Sequence, residues 1–213
     1  QSEQTDYLER AKMLRAFKIL DNTRTHDISA TISRADFSKL IVNLLGYESL
    51  ANIKPGFTDL TEKTEGLGAI EMVTKLGYLK GYDDGTFRPE ELVTYEQAIK
   101  VFVCMLGYEF QAKEKGGYPT GYVITAEGLG LVKKVEGFTG YPLTYDNLTR
   151  MIVNSFDIDV MMKTSMGAVE QYSVIEDRNI LSYNLKLEKR RGIIKENEFT
   201  DLIANSSAPK DKI

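Results

Sequence analysis

The chain has 213 residues, 42% of them hydrophobic and 27% charged, with a formal net charge of −4; this is globular composition, long enough for one sizeable core or two modest ones, not that of a disordered tail. The acidic balance argues against nonspecific nucleic-acid binding, which relies on a basic footprint to release phosphate counterions, so an anionic ligand must be caught locally. No apolar run approaches the roughly 20 residues of a membrane-spanning helix, so no membrane insertion is expected; no basic, apolar leader precedes Gln1 either, as expected of a processed product or a trimmed chain.

The first apolar stripe, around Ala11, Leu14 and Phe17, predicts a short helix. A polar loop follows, where His26 lies between Thr25 and Asp27 and is expected to face solvent. As the single histidine it leaves no multi-His metal site and no Ser/His/Asp triad. Ser33-Arg34-Ala35-Asp36 then opens a second helix, because a hydroxyl at this place accepts a hydrogen bond from the backbone N–H three residues on. Phe37, Leu40, Ile41, Leu44 and Leu45 fall on one face of it, and Gly46 stops it.

The same pair recurs. A stripe at Ala69, Ile70, Val73 and Leu76 precedes the cap Thr94-Tyr95-Glu96-Gln97, whose Gln97 can reach back as in a capping box. Ala98, Val101, Phe102, Met105 and Leu106 line that helix, and Gly107 ends it. Cys104, the single cysteine, excludes an internal disulfide and any Cys-based metal cluster, and reads as a buried inert thiol. A third stripe, Ala126, Leu129 and Val132, leads to Thr144-Tyr145-Asp146-Asn147 and to Leu148, Met151, Ile152, Ser155 and Phe156, with Asp157 where the other two have glycine. Fourteen of the fifteen facing positions are apolar. Leu76-Gly-Tyr-Leu79 and Leu129-Gly-Leu-Val132 support the same alignment. The fold class is therefore mainly α: three helix-loop-helix repeats, about 5–47, 57–108 and 117–158, none able to bury its stripe alone, packed around a common core.

From 159 to 213 the pattern breaks into a linker, a short helix near Arg178 to Leu185 and the start of a β-rich segment, with Arg191 to Ile203 as a strand pair or bent strand. Such a strand needs partners, so more protein is expected after Ile213, or another subunit completing the sheet through 186–213. Lys189-Arg190-Arg191 reads as a solvated edge, since acidic residues follow closely.

The longest inter-helix loop, Gly81-Tyr-Asp-Asp-Gly-Thr-Phe-Arg-Pro89, together with Phe57-Thr-Asp-Leu60, Ala69-Ile70 and the cap at Thr94, resembles the S-layer homology repeat. Ser33-Arg34-Ala35-Asp36 is similar to that family's Thr-Arg-Ala-Glu helix start, and the third segment is similar through its apolar pattern. The resemblance implies a pseudo-three-fold bundle and a non-catalytic anchor, extracellular on a bacterial cell wall or S-layer. Its expected partner is a secondary cell-wall polysaccharide, often pyruvylated, held in grooves between repeats, with no cofactor and no metal. It implies a groove built from Arg34, Asp36, Tyr82, Asp83, Asp84, Gly85, Thr86 and Arg88. Tyr95 and Tyr145 stand where the family places the arginine, and Glu65 lies near the place of the family's tryptophan, so one groove keeps the basic clamp.

The residues themselves leave alternatives open. Arg34 is a carboxylate clamp, for which its planar fork is suited, or a first-turn residue bonding a carboxylate such as Asp36. Asp83 and Asp84 form and cap a turn, since they lack the ligand spacing of a calcium loop. Tyr82, Tyr95 and Tyr145 stack sugars or fill space between repeats. Arg88 holds the loop or reaches the groove. No nucleophile with a base, no paired carboxylates and no phosphate-cradling loop stand at catalytic spacing, so no enzyme is expected. The competing reading is a degenerate repeat serving as a structural or protein-interaction connector in a large assembly, without glycan binding.

Overall fold

Three polar caps start three helices. In the computed structural model, which describes residues 3–21, 27–51, 53–165 and 170–187, Ser33 Oγ accepts from the Asp36 N–H at 3.2 Å and Thr144 Oγ1 from the Asn147 N–H at 3.3 Å. At Thr94 the return bond is present, its N–H donating to Gln97 Oε1 at 3.4 Å. The helices they open are α2 (Arg34–Leu44), α4 (Tyr95–Met105) and α7 (Tyr145–Ser155), each preceded by a partner: α1 (Glu3–Ala16), α3 (Leu67–Lys75) and α6 (Thr120–Leu129). A further short helix, α5 (Glu109–Glu114), lies between α4 and α6 and is not anticipated by the apolar pattern, since Ala112 is its one buried residue.

The helix ends follow the residue types. At Gly46 and Gly107 the backbone is left-handed, and the N–H groups of Tyr47 and Tyr108 close onto Val42 and Val103 at 3.1 and 2.9 Å. Past the end of α7, after Asp157, the N–H of Ile158 donates instead to the Ser155 carbonyl at 3.3 Å, three residues back, in a tighter turn. The partner helices α3 and α6 end on left-handed Gly77 and Gly130, and Lys18 adopts the same conformation after α1 with φ of 58°.

The helices pair across, not within, the sequence-adjacent pairs. Helix α2 packs on α3, α4 on α6, and α1 on α7, so the contacts close a ring. The backbone closes it the same way at the cap segments. Arg34 N–H donates to the Glu91 carbonyl, Tyr95 N–H to Tyr141 and Tyr145 N–H to Ala30, at 2.8, 2.9 and 2.8 Å. Bridges Thr31 to Thr144, Ser33 to Leu92 and Thr94 to Pro142 run alongside. Each acceptor stands three residues before a cap, so each loop satisfies the first orphan N–H of a neighbouring helix. Arg10 of α1 and Arg150 of α7 share the Asp146 carboxylate, the latter at 3.0 Å, and fasten the chain's first helix to the seam. Inside the ring, Tyr7, Phe37, Phe87, Phe102, Leu14, Ile41, Ile70 and Ile99 are buried in one continuous apolar core.

Residues beyond 158 dock on this body. An antiparallel hairpin of β1 (Met161–Lys163) and β2 (Tyr172–Val174) is followed by a single π-helical turn, Ile180–Asn184, where the sequence suggests a short helix. Met161 N–H donates to the Leu106 carbonyl at 2.9 Å and Asn184 Nδ2 to the Leu45 carbonyl at 3.3 Å. The approach needs glycine. A Cβ on Gly107 would stand 1.9 Å from the Met161 carbonyl oxygen and one on Gly46 2.5 Å from that of Asn184. His26, the Lys189–Arg191 run and the strand expected over 191–203 lie outside the described residues.

Candidate functional site

The Gly81–Pro89 loop is a rigid object. Tyr82 N–H donates to the Thr86 carbonyl at 2.8 Å, and Gly85 N–H returns to Tyr82 at 3.0 Å, with Gly85 at φ of 80°. Asp84 accepts from both the N–H and the hydroxyl of Thr86, at 3.0 and 2.6 Å, and its second oxygen meets Arg88 at 3.1 Å. These bonds to Thr86, then Arg88, hold the Asp84 carboxyl down at about 2. Asp59 takes the N–H groups of Phe87 and Arg88 at 2.8 and 2.7 Å. Phe87 is fully buried beside Phe57, ring centres 5.4 Å apart, a contribution of about 2 kcal/mol for burying one such side chain. Asp83 is exposed at the tip.

Arg34 fastens this loop to the neighbouring helix pair. Its Nε donates to the Phe87 carbonyl at 2.9 Å and one terminal nitrogen to the Lys80 carbonyl at 2.7 Å. The guanidinium lies 4.4 Å from the Phe87 ring centre and 5.2 Å from that of Tyr82, and the side chain is only 3% exposed. Burial pushes its pKa below the usual arginine range, opposed by Tyr82 and Glu91, and arginine keeps its charge even so. The fork thus spends two of its five donors on loop carbonyls, while Asp36, suggested as its partner by the sequence, pairs with Lys39 at 2.7 Å. Arg88 lies over the Tyr82 ring at 3.8 Å, so guanidinium groups from two of the three helix pairs face that ring.

Beside Arg34 opens a cleft of about 460 Å³. Tyr78, Lys80 and Tyr82 border it from the α3 end and the loop, Gln97 and Lys100 from α4, and Glu109, Lys113, Tyr118 and Tyr122 from α5 and the start of α6. Lys113 pairs with Glu109 at 3.0 Å, which raises its pKa. Burial, then the Glu91 hydrogen bond, raises that of Tyr82, and burial foremost raises that of Tyr122. Cys104 is half-buried, its thiol pushed up to about 11 by burial.

A second cleft, of about 310 Å³, occupies the corresponding place one helix pair earlier. Lys18 and Asp21 stand where Gly77 and Lys80 stand in the first, Asp36 where Gln97 does, Lys39 where Lys100 does, and Tyr145 where Arg34 does. The chemistry differs. Lys39 is held by Asp36 at 2.7 Å and Glu65 at 2.8 Å, hydrogen bonds that outweigh burial and raise its pKa. Lys100 and Lys80 make no ion pair among the described residues. At the third corresponding position Arg150 is held by Asp146. Tyr95 and Tyr145 are buried, at 8% and 5% exposure, and Tyr95 lies against Gly137.

The sequence-derived set is therefore divided. Arg34 and Tyr82 border the larger cleft, Asp36 borders the smaller, and Asp84, Gly85, Thr86 and Arg88 build the loop behind Tyr82. The sequence marks Gln97 only as a cap partner and Asp59 only within the Phe57–Leu60 motif, and it does not single out Lys80, Lys100, Lys113 or Tyr118. The alignment of Leu76-Gly77 with Leu129-Gly130 carries the signal for Tyr118, which falls opposite Glu65, near the expected tryptophan place.

The family model of the S-layer homology domain matches residues 56–99, the stretch that runs from Gly56 through α3 and the pinned loop into the first turns of α4. The chain is similar to the middle cell wall protein of Brevibacillus brevis, 25% identical over 161 residues, covering 74% of this chain and 15% of that protein. It is also similar to the surface layer protein of Brevibacillus choshinensis, 26% identical over 184 residues, 84% of this chain and 16% of that one. A cell surface protein of Thermoanaerobacter kivui is 30% identical over 109 residues, 49% of this chain and 14% of its own length. The chain thus spans about a sixth or less of each relative's length. The repeat indicates a cell-surface, wall-associated location, and no helix among the described residues is long and apolar enough to cross a membrane.

Proposed function

We propose that the chain is a non-catalytic anchoring module that holds an acidic wall polysaccharide, such as a pyruvylated one, in the cleft bordered by Arg34, Tyr82, Lys100 and Tyr118. The observation that carries this reading is the unpaired Lys100. Among the described residues it alone of the three corresponding cations has no carboxylate partner, and it faces a cleft that also contains Lys80 and Arg34, where the one lining acid, Glu109, is paired with Lys113. A sugar carboxylate there gains a charge-assisted hydrogen bond without breaking an existing pair. The tyrosines offer ring faces to the sugar. Arg34 is the frame: its buried fork holds the loop and presents the positive end of the cleft. Asp83, Asp84, Gly85, Thr86 and Arg88 serve by fixing Tyr82. The three helix pairs are three repeats related by a pseudo-three-fold axis, a reading supported by the cyclic bonds at Arg34, Tyr95 and Tyr145.

The test is retention on wall sacculi before and after removal of their acidic polymer. Lys100→Ala is expected to lower the affinity about tenfold or more, the scale of one hydrogen bond to a charged group. Equal retention of wild type and variant, or retention indifferent to the polymer, would contradict the reading. A connector without glycan binding is favoured by buried Tyr95 and Tyr145 and by the paired Lys39 and Arg150, which leave the other two positions structural. It predicts that sacculi do not retain the chain, and that cross-linking captures a protein subunit.

A further inference from the structure

Three tight turns precede the three caps, each closed by one backbone bond: Ala30 to Asp27, Glu91 to Arg88 and Tyr141 to Phe138, at 3.0, 3.1 and 3.1 Å. The turn of the second helix pair carries charges, Arg88 and Glu91, 3.8 Å apart. That of the third carries Phe138 and Tyr141, 73% and 66% exposed, the two most exposed large apolar side chains among the described residues. Their rings meet edge to face, 6.2 Å between centres and 68° apart. A chain gains nothing in its own fold from two exposed rings, and the turn would close without them.

The backbone beneath is firm. Gly140 takes φ of 85°, and its N–H donates to Glu96 Oε2 at 2.8 Å. Glu96 is buried on α4, and the next residue, Gln97, borders the cleft. Through Gly140, Glu96 joins the turn to the helix position beside Gln97, and its charge also reaches the phenol of Tyr118 at the cleft, whose pKa burial foremost raises. The aromatic turn thus continues from the rim of the larger cleft, past Gln97 and Glu96.

We infer that the Phe138–Tyr141 turn is an outlying sugar-stacking subsite, which receives further residues of the same polysaccharide whose acidic residue occupies the cleft. The inference rests on the cleft reading above. A glycan fits better than a protein, because the rings stand on a turn with exposed Glu136, Thr139 and Gly140 and not within a broad apolar patch. Sugar C–H faces pack on such rings while the hydroxyls keep polar partners.

The test is calorimetric titration of the full chain with two probes: soluble acidic polysaccharide released from walls, and a carboxylate-bearing disaccharide cut from it. The double variant Phe138→Ser with Tyr141→Ser is expected to lose about tenfold in affinity for the polymer and none for the disaccharide, with Phe138→Tyr plus Tyr141→Phe restoring polymer binding. Unchanged polymer affinity in the serine variant overturns the inference, as does an equal loss for both probes. A serine variant that keeps polymer affinity but loses self-association in sedimentation overturns it in favour of a protein surface. If the wild-type chain binds neither probe, the cleft reading falls first and takes the subsite with it.

Discussion

The larger and smaller clefts share a backbone plan and differ in where their charge goes. In the smaller, Lys39 is consumed by Asp36 and Glu65, and Tyr145 fills the place of the arginine. In the larger, Lys100 has no carboxylate partner among the described residues, and Arg34 is present but spent in part on the loop. One architecture thus serves two ends: in the smaller cleft the acids tie Lys39 to the helices, whereas in the larger the one lining acid, Glu109, is taken by Lys113 and Lys100 keeps its charge for the cleft. The difference lies in a few side chains and not in the fold, so single substitutions can break it.

The largest effect is expected at Arg34. Arg34→Ala removes two charge-assisted bonds and leaves the Phe87 and Lys80 carbonyls without their donor, a loss of about 3 kcal/mol or more. Denaturant midpoints should show it, together with exchange of the Thr86 and Phe87 amides. Arg34→Lys is expected to rescue little, because one ammonium lacks the planar fork that meets both carbonyls. Loss of binding in Arg34→Ala therefore reports a loosened loop as much as a missing ligand contact. If the loop keeps its protected amides, the framing role assigned to Arg34 is wrong.

Next comes the pair of corresponding lysines. Lys39→Ala should leave binding to wall polymer unchanged and cost about 0.5 kcal/mol or less in stability, since its partner Glu65 is 76% exposed and such pairs are screened. Lys100→Ala should do the opposite, lowering affinity at unchanged stability. Equal effects of the two variants on binding would erase the distinction between the clefts.

The helices and their faces were legible in sequence because caps, stripes and terminal glycines act over three or four residues. Ser33, Thr94 and Thr144 mark starts, and Gly46 and Gly107 mark ends. The clefts were only partly legible, because they join residues far apart in the chain. Arg34 meets a loop some 50 positions away, and Lys39 is silenced by Glu65 from another helix pair. Helix α5 is too short to show a period, and the hairpin after Asp159 is held by backbone bonds to Leu106 and Val160 that no side-chain pattern announces. The loop's internal bonds, Asp84 to Thr86 above all, are local, and the turn reading of Asp83 and Asp84 anticipates them.

A smaller effect concerns the turn that leads into each cleft. Lys18 and Gly77 take the same left-handed backbone, at φ of 58° and 75°. No atom lies within 4 Å of a Cβ added to Gly77, so Gly77→Ala meets only backbone strain and should cost about 1 kcal/mol. Lys18→Gly should gain less than that, about 0.5 kcal/mol, because glycine relieves the strain but adds freedom to the unfolded chain. Thermal unfolding of both variants checks the sign, and a stabilised Gly77→Ala would show that the two turns are not the same device.

The smallest effect is a pH dependence confined to the loop behind the larger cleft. The Asp84 side chain is 52% exposed, and its carboxyl is held at about 2, below the usual carboxylate value of 3.8, by Thr86 and Arg88. A carboxyl lowered on folding stabilises the loop fully above its unfolded pKa and loses that contribution as pH falls through the folded one. The window is therefore roughly pH 4 down to pH 2, and nothing should change in mild acid. The Thr86 amide, which donates to Asp84, should shift in NMR with a midpoint near 2, and Asp84→Asn should remove that transition. In the smaller cleft, Lys39→Ala should leave the transition in place, because Asp84 and its partners all belong to the other side. A Thr86 amide that moves already near pH 4 would mean that the latch over Tyr82 is open in solution, and Tyr82 would then lack the fixed orientation on which sugar stacking depends.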